Sequence, residues 1–363
     1  MRRLDAASLG PLVFGAAVLG AGGGGDPYIG WLLAGQAIAE YGPVTVLDPI
    51  EIPDDALCAM SAVMGAPTVL VEKLPSGEEQ FRALQVLEEH LGRQLTHIMC
   101  AEIGGLNSTL PIVTAARTGL PLVDCDAMGR AFPEIQMSTP TLYGVAAAPM
   151  ALADEKGNAR LITEDTPAAD NHRTEEQARA ICVEMGGAAF IALFVQSGAQ
   201  IRQTMIPGTL LKAEQIGRVA LSARAAKTDP IAAILEPLGG VRLFEGKIVD
   251  VQRRTEAGFA RGQVTIEGSG SDVTTQLVIH FQNENLAAIR AGQVAATVPD
   301  LITVLEADTG LPITTEELRY GFRVVVIGAP CDSRWRGTEG VRLVGPRYFG
   351  FDLDYVPVEL LNP

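Results

Sequence analysis

Positive charge and histidine are what this 363-residue chain has least of. It carries 28 Lys+Arg against 43 Asp+Glu, a formal net charge of -15, and only four His. Such a field repels phosphate backbones and anionic lipid headgroups, so nucleic acid and membrane surfaces are poor partners and a small molecule is the better one. Cysteine is sparse too. Cys58, Cys100, Cys125, Cys182 and Cys331 are widely spaced, odd in number and free of any CxxC pair, which argues against a disulfide framework and against a zinc ribbon or finger. An uninterrupted apolar run is missing as well. The uncharged stretch Leu9 to Gly25 follows Arg2 and Arg3 and imitates a secretory leader, but Asp5 interrupts its basic flank and Pro11 and seven glycines break it. It suits neither a leader nor a membrane span, and a cytoplasmic protein is expected.

Apolar content is high instead, 47% of residues with a mean hydropathy of +0.21. At this length two domains are the first expectation. The apolar excess predicts large buried sheets or a buried subunit face, hence a homo-oligomer. The spacing predicts a helix over 5–19, a glycine run, and a second helix from Pro27 to about Glu40 capped by Asp26. Short apolar runs at Val44 to Leu47, Thr68 to Glu72, His97 to Glu102 and Leu122 to Asp126 read as buried parallel strands. They alternate with helices through Leu84 to Leu91 and Asn107 to Thr118. A polar stretch from Thr163 to Arg173 marks a joint, then a helix (Thr174 to Met185), a strand (Ala188 to Val195) and a helix (about Leu210 to Ala226) follow. Beyond Gly239 the texture is β-rich, with a hairpin signal at Asp308-Thr309-Gly310. The expected architecture is α/β: a layered, mostly parallel sheet domain with flanking helices over 1–166, and a β-rich α+β domain over 167–363, helical at first.

Four segments could carry chemistry. Gly22-Gly23-Gly24-Gly25-Asp26 lacks side chains where several N–H groups could converge on a ligand at a helix start. No strand precedes it and no Lys-Ser/Thr pair follows, so it is a poor dinucleotide or P-loop fingerprint; it reads as an amide cradle or a hinge, and Asp26 as a cap or a ligand contact. Glu102-Ile103-Gly104-Gly105-Leu106-Asn107 lies at the carboxyl end of an expected strand, where ligands collect in open α/β sheets. There Glu102 could be a general base and Asn107 its orienter, or the two an ion-paired Glu and a capping Asn. Asp124 and Asp126 fall on alternate strand positions and would present paired carboxylates that raise a pKa or recruit a cation, unless they serve as a cap and an Arg130 salt bridge. Gln282-Asn283-Glu284-Asn285 could reach over a cleft or form an ordinary turn. Among the histidines, His172 sits in a polar connection and could be a metal ligand, a proton shuttle or a solvated side chain. A divalent metal, if held, would take Asp124, Asp126 and His172.

The glycine run with Asp26-Pro27-Tyr28, the Glu102 to Asn107 segment and Asp124 to Met137 together resemble the bacterial DUF917 family, also named for S-methyl thiohydantoin desulfurase. The later segments Phe244 to Ile248, Asn283 to Leu286, Pro299 to Ile302 and Gly345 to Gly350 are similar to it as well, so the resemblance covers most of the chain. It implies hydrolysis of a thiohydantoin-like or hydantoin-like ring, with water adding at the carbon that bears the S-methyl group and methanethiol leaving, and it implies a hydantoinase-type protein as a partner. On that reading Asp124 and Asp126 supply charge, Glu102 relays protons, the Gly22 to Gly25 amides stabilise the developing anion, and Asn107, Asn283 and Glu284 contact the ring. The competing reading is a non-catalytic, metabolite-binding subunit of a hydantoinase-type complex.

Overall fold

A computed structural model describes residues 1–65, 69, 75–163, 170–256 and 258–363. The strand expected over 68–72 and the joint expected at 166/167 lie outside the described residues, save Val69. The chain forms two eight-stranded sheets and a two-stranded ribbon. The first sheet contains β1 (Arg2–Leu4), β2 (Val44–Leu47), β3 (Leu57–Gly65), β4 (His97–Cys100), β5 (Leu122–Val123), β7 (Met150–Ala153), β8 (Ala159–Ile162) and β9 (Ala188–Ser197). Its order is β1-β2-β5-β4-β3-β9-β7-β8. The central β2-β5-β4-β3 ladder is parallel, as the alternation of short apolar runs with helices predicts, and antiparallel strands extend it at both edges.

β3 is the strand that composition hides. Its sequence, LCAMSAVMG, is built mainly from residues of modest β propensity, yet seven of its nine positions are buried because β4 and β9 flank it. The run Leu122 to Asp126 is not one strand: β5 stops at Val123, and β6 (Cys125–Asp126) turns away to pair with β10 (Ile206–Pro207).

The second sheet is wholly antiparallel. It contains β11 (Val241–Glu256), β12 (Phe259–Gly268), β13 (Gln276–Gln282), β14 (Glu284–Arg290), β15 (Gln293–Thr297), β16 (Leu301–Glu306), β17 (Pro312–Ile313) and β18 (Arg323–Ala329), in the order β15-β14-β13-β12-β11-β18-β16-β17. The Asp308-Thr309-Gly310 turn joins β16 to β17, with Glu306 accepting from the Asp308 and Thr309 N–H groups. The expected α/β layer and β-rich second part are therefore both present. Among the described residues no helix is long and apolar enough to cross a membrane.

The helices are α1 (Ala6–Leu19), α2 (Pro27–Tyr41), α3 (Glu78–Leu91), α4 (Leu110–Thr118), α5 (Asn171–Glu184), α6 (Thr209–Ala226) and α7 (Pro230–Leu238), besides shorter turns. Asp5 caps α1 through the Ala7 and Ser8 N–H groups, and Asp26 caps α2 through Tyr28 and Ile29. The α1–α6 crossing explains why α1 tolerates glycine. A Cβ on Gly15 would lie 1.8 Å from the Ala213 carbonyl oxygen, and one on Gly217 would lie 1.9 Å from that of Pro11. Each helix thus presents a glycine to the other's backbone. The apolar residues around this crossing join the first sheet to Leu301, Leu305 and Val325 of the second, while the second sheet's other face has an apolar cluster of its own around Phe244, Ile266 and Ile279.

Overpacking such a contact costs about 1–3 kcal/mol. Gly15→Ala and Gly217→Ala should each destabilise the protein by that amount in urea denaturation. The double variant should lose less than the sum, because the first methyl already holds the helices apart.

Candidate active site

Glu102 lies just past the end of β4. Its side chain is 6% exposed and is held at both oxygens. Oε1 accepts from Asn107 Nδ2 at 2.7 Å, and Oε2 accepts from the Phe132 N–H at 3.3 Å. Asn107 is in turn fixed to β3, accepting from the Val63 N–H at 2.8 Å and donating to the Val63 carbonyl at 3.1 Å. Of the two sequence readings of Asn107, the structure shows an orienting side chain: it caps no helix. Burial pushes the Glu102 carboxyl up to about 7, against the opposing pull of the Asn107 and Phe132 hydrogen bonds. The group is poised to exchange a proton near neutral pH.

Glu102 lines a cavity that is open to solvent on one side. The glycine turn forms one wall. Ala21, Gly22, Gly24 and Gly25 all have positive φ, and the turn is pressed against the Gly104-Gly105 loop so closely that a Cβ on Gly105 would lie 1.8 Å from the Gly25 oxygen. The turn's carbonyls are consumed by this packing: Gly24 accepts from Asn107, Gly22 from Thr315 and Ala21 from Asn285. The N–H groups of Gly24 and Gly25, both lining the cavity, donate to no acceptor among the described residues. Of the expected amide cradle, these two donors border the cavity. Asp26 points the other way, into the α2 cap.

Glu284 lies against the glycine turn, where a Cβ on Gly23 would fall 2.1 Å from its Oε1, and lines the same cavity. A tight turn places it there: Asn283, with φ +58°, joins β13 to β14, and Gln282 pairs directly with Glu284. The Asn283 side chain accepts from the Ala260 N–H at 2.8 Å, so only its Nδ2 is left to meet a ligand. Glu284 is 3% exposed and its Oε2 is sealed without a hydrogen-bond partner. Burial first, and then the Glu102 charge, raise its carboxyl well above the usual range. Both carboxyls are thus raised by burial, that of Glu284 further by the Glu102 charge near it.

Arg130, which sequence reasoning considered only as a salt-bridge partner, lies fully buried behind these acids. It donates to the carbonyls of Ala131, Pro299, Asp300 and Asn285 and stacks 4.9 Å over the Phe132 ring. Its positive charge acts on both Glu102 and Glu284 without a direct ion pair. Most of the remaining lining is apolar, notably Met60, Met64, Met128, Phe132, Leu193 and Phe194, with Glu134 and Ser138 as polar members. Arg179 stands at the rim, ion-paired with Glu175. No local sequence pattern announces Arg130, whose partners lie up to 170 residues away.

The two aspartates do not join Glu102 in this cavity. Asp124 Oδ1 accepts from the Leu210 N–H at 2.9 Å, capping α6, and its Oδ2 lies 3.8 Å from the Arg2 guanidinium. Asp126 Oδ2 accepts three N–H groups, from Ile103 and Met128 at 3.0 Å and from Gly129 at 2.8 Å. It thereby ties the Glu102 loop to the loop that carries Arg130. The expected side-by-side pairing fails because the strand ends between them. His172 is on the outer face of α5, with a side chain 58% exposed and 3.5 Å from Glu176. The three side chains expected to hold a divalent metal are thus committed elsewhere and do not converge. Among the described residues no group of three or more His, Cys, Asp or Glu is disposed around a common point. Cys100 and Cys125 are sealed, and burial drives both thiols up, away from nucleophilic form.

Burial likewise pushes Asp126 up to about 7. A carboxyl whose folded pKa lies above the unfolded value of about 3.9 favours the fold at low pH, and that contribution is lost as pH rises from about 4 through about 7. Asp126→Asn keeps an acceptor for the three N–H groups, and should flatten the fall of thermal stability across that window. Asp126→Ala strands three buried donors and should cost more than about 3 kcal/mol by chemical denaturation.

Comparison with known proteins agrees with this layout. Residues 7–164 match the family described as S-Me-THD-like, N-terminal domain, and residues 169–358 match S-Me-THD-like, C-terminal domain. No curated protein matches. A crystal structure of a protein from Chromobacterium violaceum is similar over 99% of this chain and 100% of that one, with a TM-score of 0.81 and 25% sequence identity.

Proposed function

Because the chain belongs to the S-Me-THD-like family, we propose that the Glu102 cavity hydrolyses the C–S bond of an S-methyl thiohydantoin-like ring, releasing methanethiol and leaving a hydantoin. The observation that carries this reading is Glu102 itself, a carboxyl balanced near pH 7 and oriented by Asn107 in an apolar cavity. Ionised Glu102 takes a proton from water as the hydroxyl adds to the ring carbon bearing sulfur. Glu284, still protonated, gives its proton to the adjacent ring nitrogen, which would otherwise carry the developing charge. As the C–S bond breaks, the new hydroxyl returns a proton to Glu284 and becomes the carbonyl, and the Glu102 proton leaves on the thiolate. Both acids return to their starting state and one water is consumed.

The Gly24 and Gly25 N–H groups would brace the ring oxygen nearest them, in the manner of an oxyanion hole, and Asn283 Nδ2 would meet the ring's remaining acceptor. Apolar walls exclude bulk water and strengthen each of these contacts. Asp124 and Asp126 hold the loops from outside the cavity and exchange no protons with the substrate.

Purified protein incubated with an S-methyl thiohydantoin should release thiol. Glu102→Gln should lower kcat by about 10²- to 10⁴-fold, the usual yield of a general base, whereas Asp124→Asn should retain most of it. The kcat/KM profile should rise through about pH 7 as Glu102 ionises and fall at higher pH as Glu284 loses its proton; Glu284→Gln should change the alkaline limb. Wild-type turnover by Glu102→Gln would refute the assignment. Absence of thiol release, with a thermal shift on adding hydantoins, would favour a metabolite-binding subunit instead.

A further inference from the structure

The second sheet carries a cavity that the proposed chemistry does not use. It is an open groove on the face formed by β11, β12 and β13. Register fixes what this face presents. Arg254 pairs with Arg261 and Arg261 with Gln282; Gln252 pairs with Gln263 and Gln263 with His280. Directly opposed side chains share a face, so two rows, Arg-Arg-Gln and Gln-Gln-His, lie side by side.

The placement is costly without a ligand. Like charges directly across a ladder repel, and an overall charge of -15 leaves ample acid with which evolution could have neutralised them. Arg254 has Glu256 at 3.0 Å, with both side chains more than half exposed, which is weak compensation. Arg261 has no carboxylate and no hydrogen bond among the described residues, and its Nε is sealed from solvent with no acceptor. Its one charge contact is the Phe259 ring, 5.8 Å away. Gln252 is engaged with Asp250 at 2.8 Å, whereas the Gln263 and Gln282 side chains are open to the cavity. Phe349 and Phe351 wall the far side, with Phe351 5.6 Å from the His280 ring.

We infer that this groove is a second binding site, for a small carboxylate or phosphate anion that carries a flat apolar part. The oxyanion bridges the outer guanidinium nitrogens of Arg254 and Arg261, while the flat part lies against the exposed edges of the His280, Phe349 and Phe351 rings that line the groove. Guanidinium pairs suit such anions because each offers a planar fork of donors. This site is independent of the Glu102 reaction, though the Phe259 ring lies between the two, 4.4 Å from the Arg179 guanidinium and 5.8 Å from that of Arg261.

The test is calorimetric titration of the full-length protein at low ionic strength with benzoate and, separately, inorganic phosphate. Saturable one-to-one binding is expected for both, tighter for benzoate. Arg261→Gln and Arg254→Gln should each weaken both ligands about tenfold or more, and Phe351→Ala should weaken benzoate while sparing phosphate. Arg254 is exposed enough that its variant will fold even if Arg261→Gln does not. Lack of saturation in the wild type, or undiminished wild-type affinity in both arginine variants, would overturn the inference. So would tight binding of a poly-glutamate peptide with neither small anion bound, which would make the face a protein-docking surface.

Discussion

The contact on which the site depends is backbone against backbone: the Gly22 to Gly25 turn lying on the Gly104-Gly105 loop. With a Cβ at Gly105 only 1.8 Å from the Gly25 oxygen, and one at Gly24 2.5 Å from the Gly104 carbonyl carbon, neither loop can carry a side chain at those points. The approach lets the Gly24 carbonyl take the Asn107 N–H. That bond sets where Asn107 sits, Asn107 sets the Glu102 carboxylate, and the turn's own N–H groups are left over at the cavity. A glycine-rich turn is usually discussed for its freedom; here it matters for how little space it occupies.

Around this contact the polar groups fall into two kinds. Asn107, Arg130 and the Oδ2 of Asp126 are engaged by fixed partners and act as struts. Glu284 Oε2 and the Gly24 and Gly25 amides have no partner among the described residues, and all three residues border one cavity. Unsatisfied buried groups are costly, so these are the groups of the cavity wall that a ligand would relieve.

Much of this was legible in the residues. The glycine run, the Asp26 cap, the strand leading to Glu102 and the orienting role open to Asn107 all follow from local rules. Asp124 and Asp126 misled because alternation holds only while a strand lasts, and β5 ends at Val123. β3 escaped notice because Cys, Met, Ser and Ala carry little strand signal, its character being imposed by the neighbours it lies between. Arg130 escaped because its acceptors, on Asn285, Pro299 and Asp300, are remote in the chain. The Glu284 turn was visible as polar residues after a strand, but whether such residues face a cleft or solvent is decided by register, which composition does not carry.

β9 gives the architecture a temporal aspect. It belongs to the later half of the chain yet lies between β3 and β7 of the first sheet. Until residues 188–197 leave the ribosome, the earlier segment has two bare strand edges and an α1 surface whose glycines await α6. Translation thus passes through an interval in which a largely completed sheet is sticky along a line in its own middle, and the second half arrives less as a separate body than as the piece that closes the first.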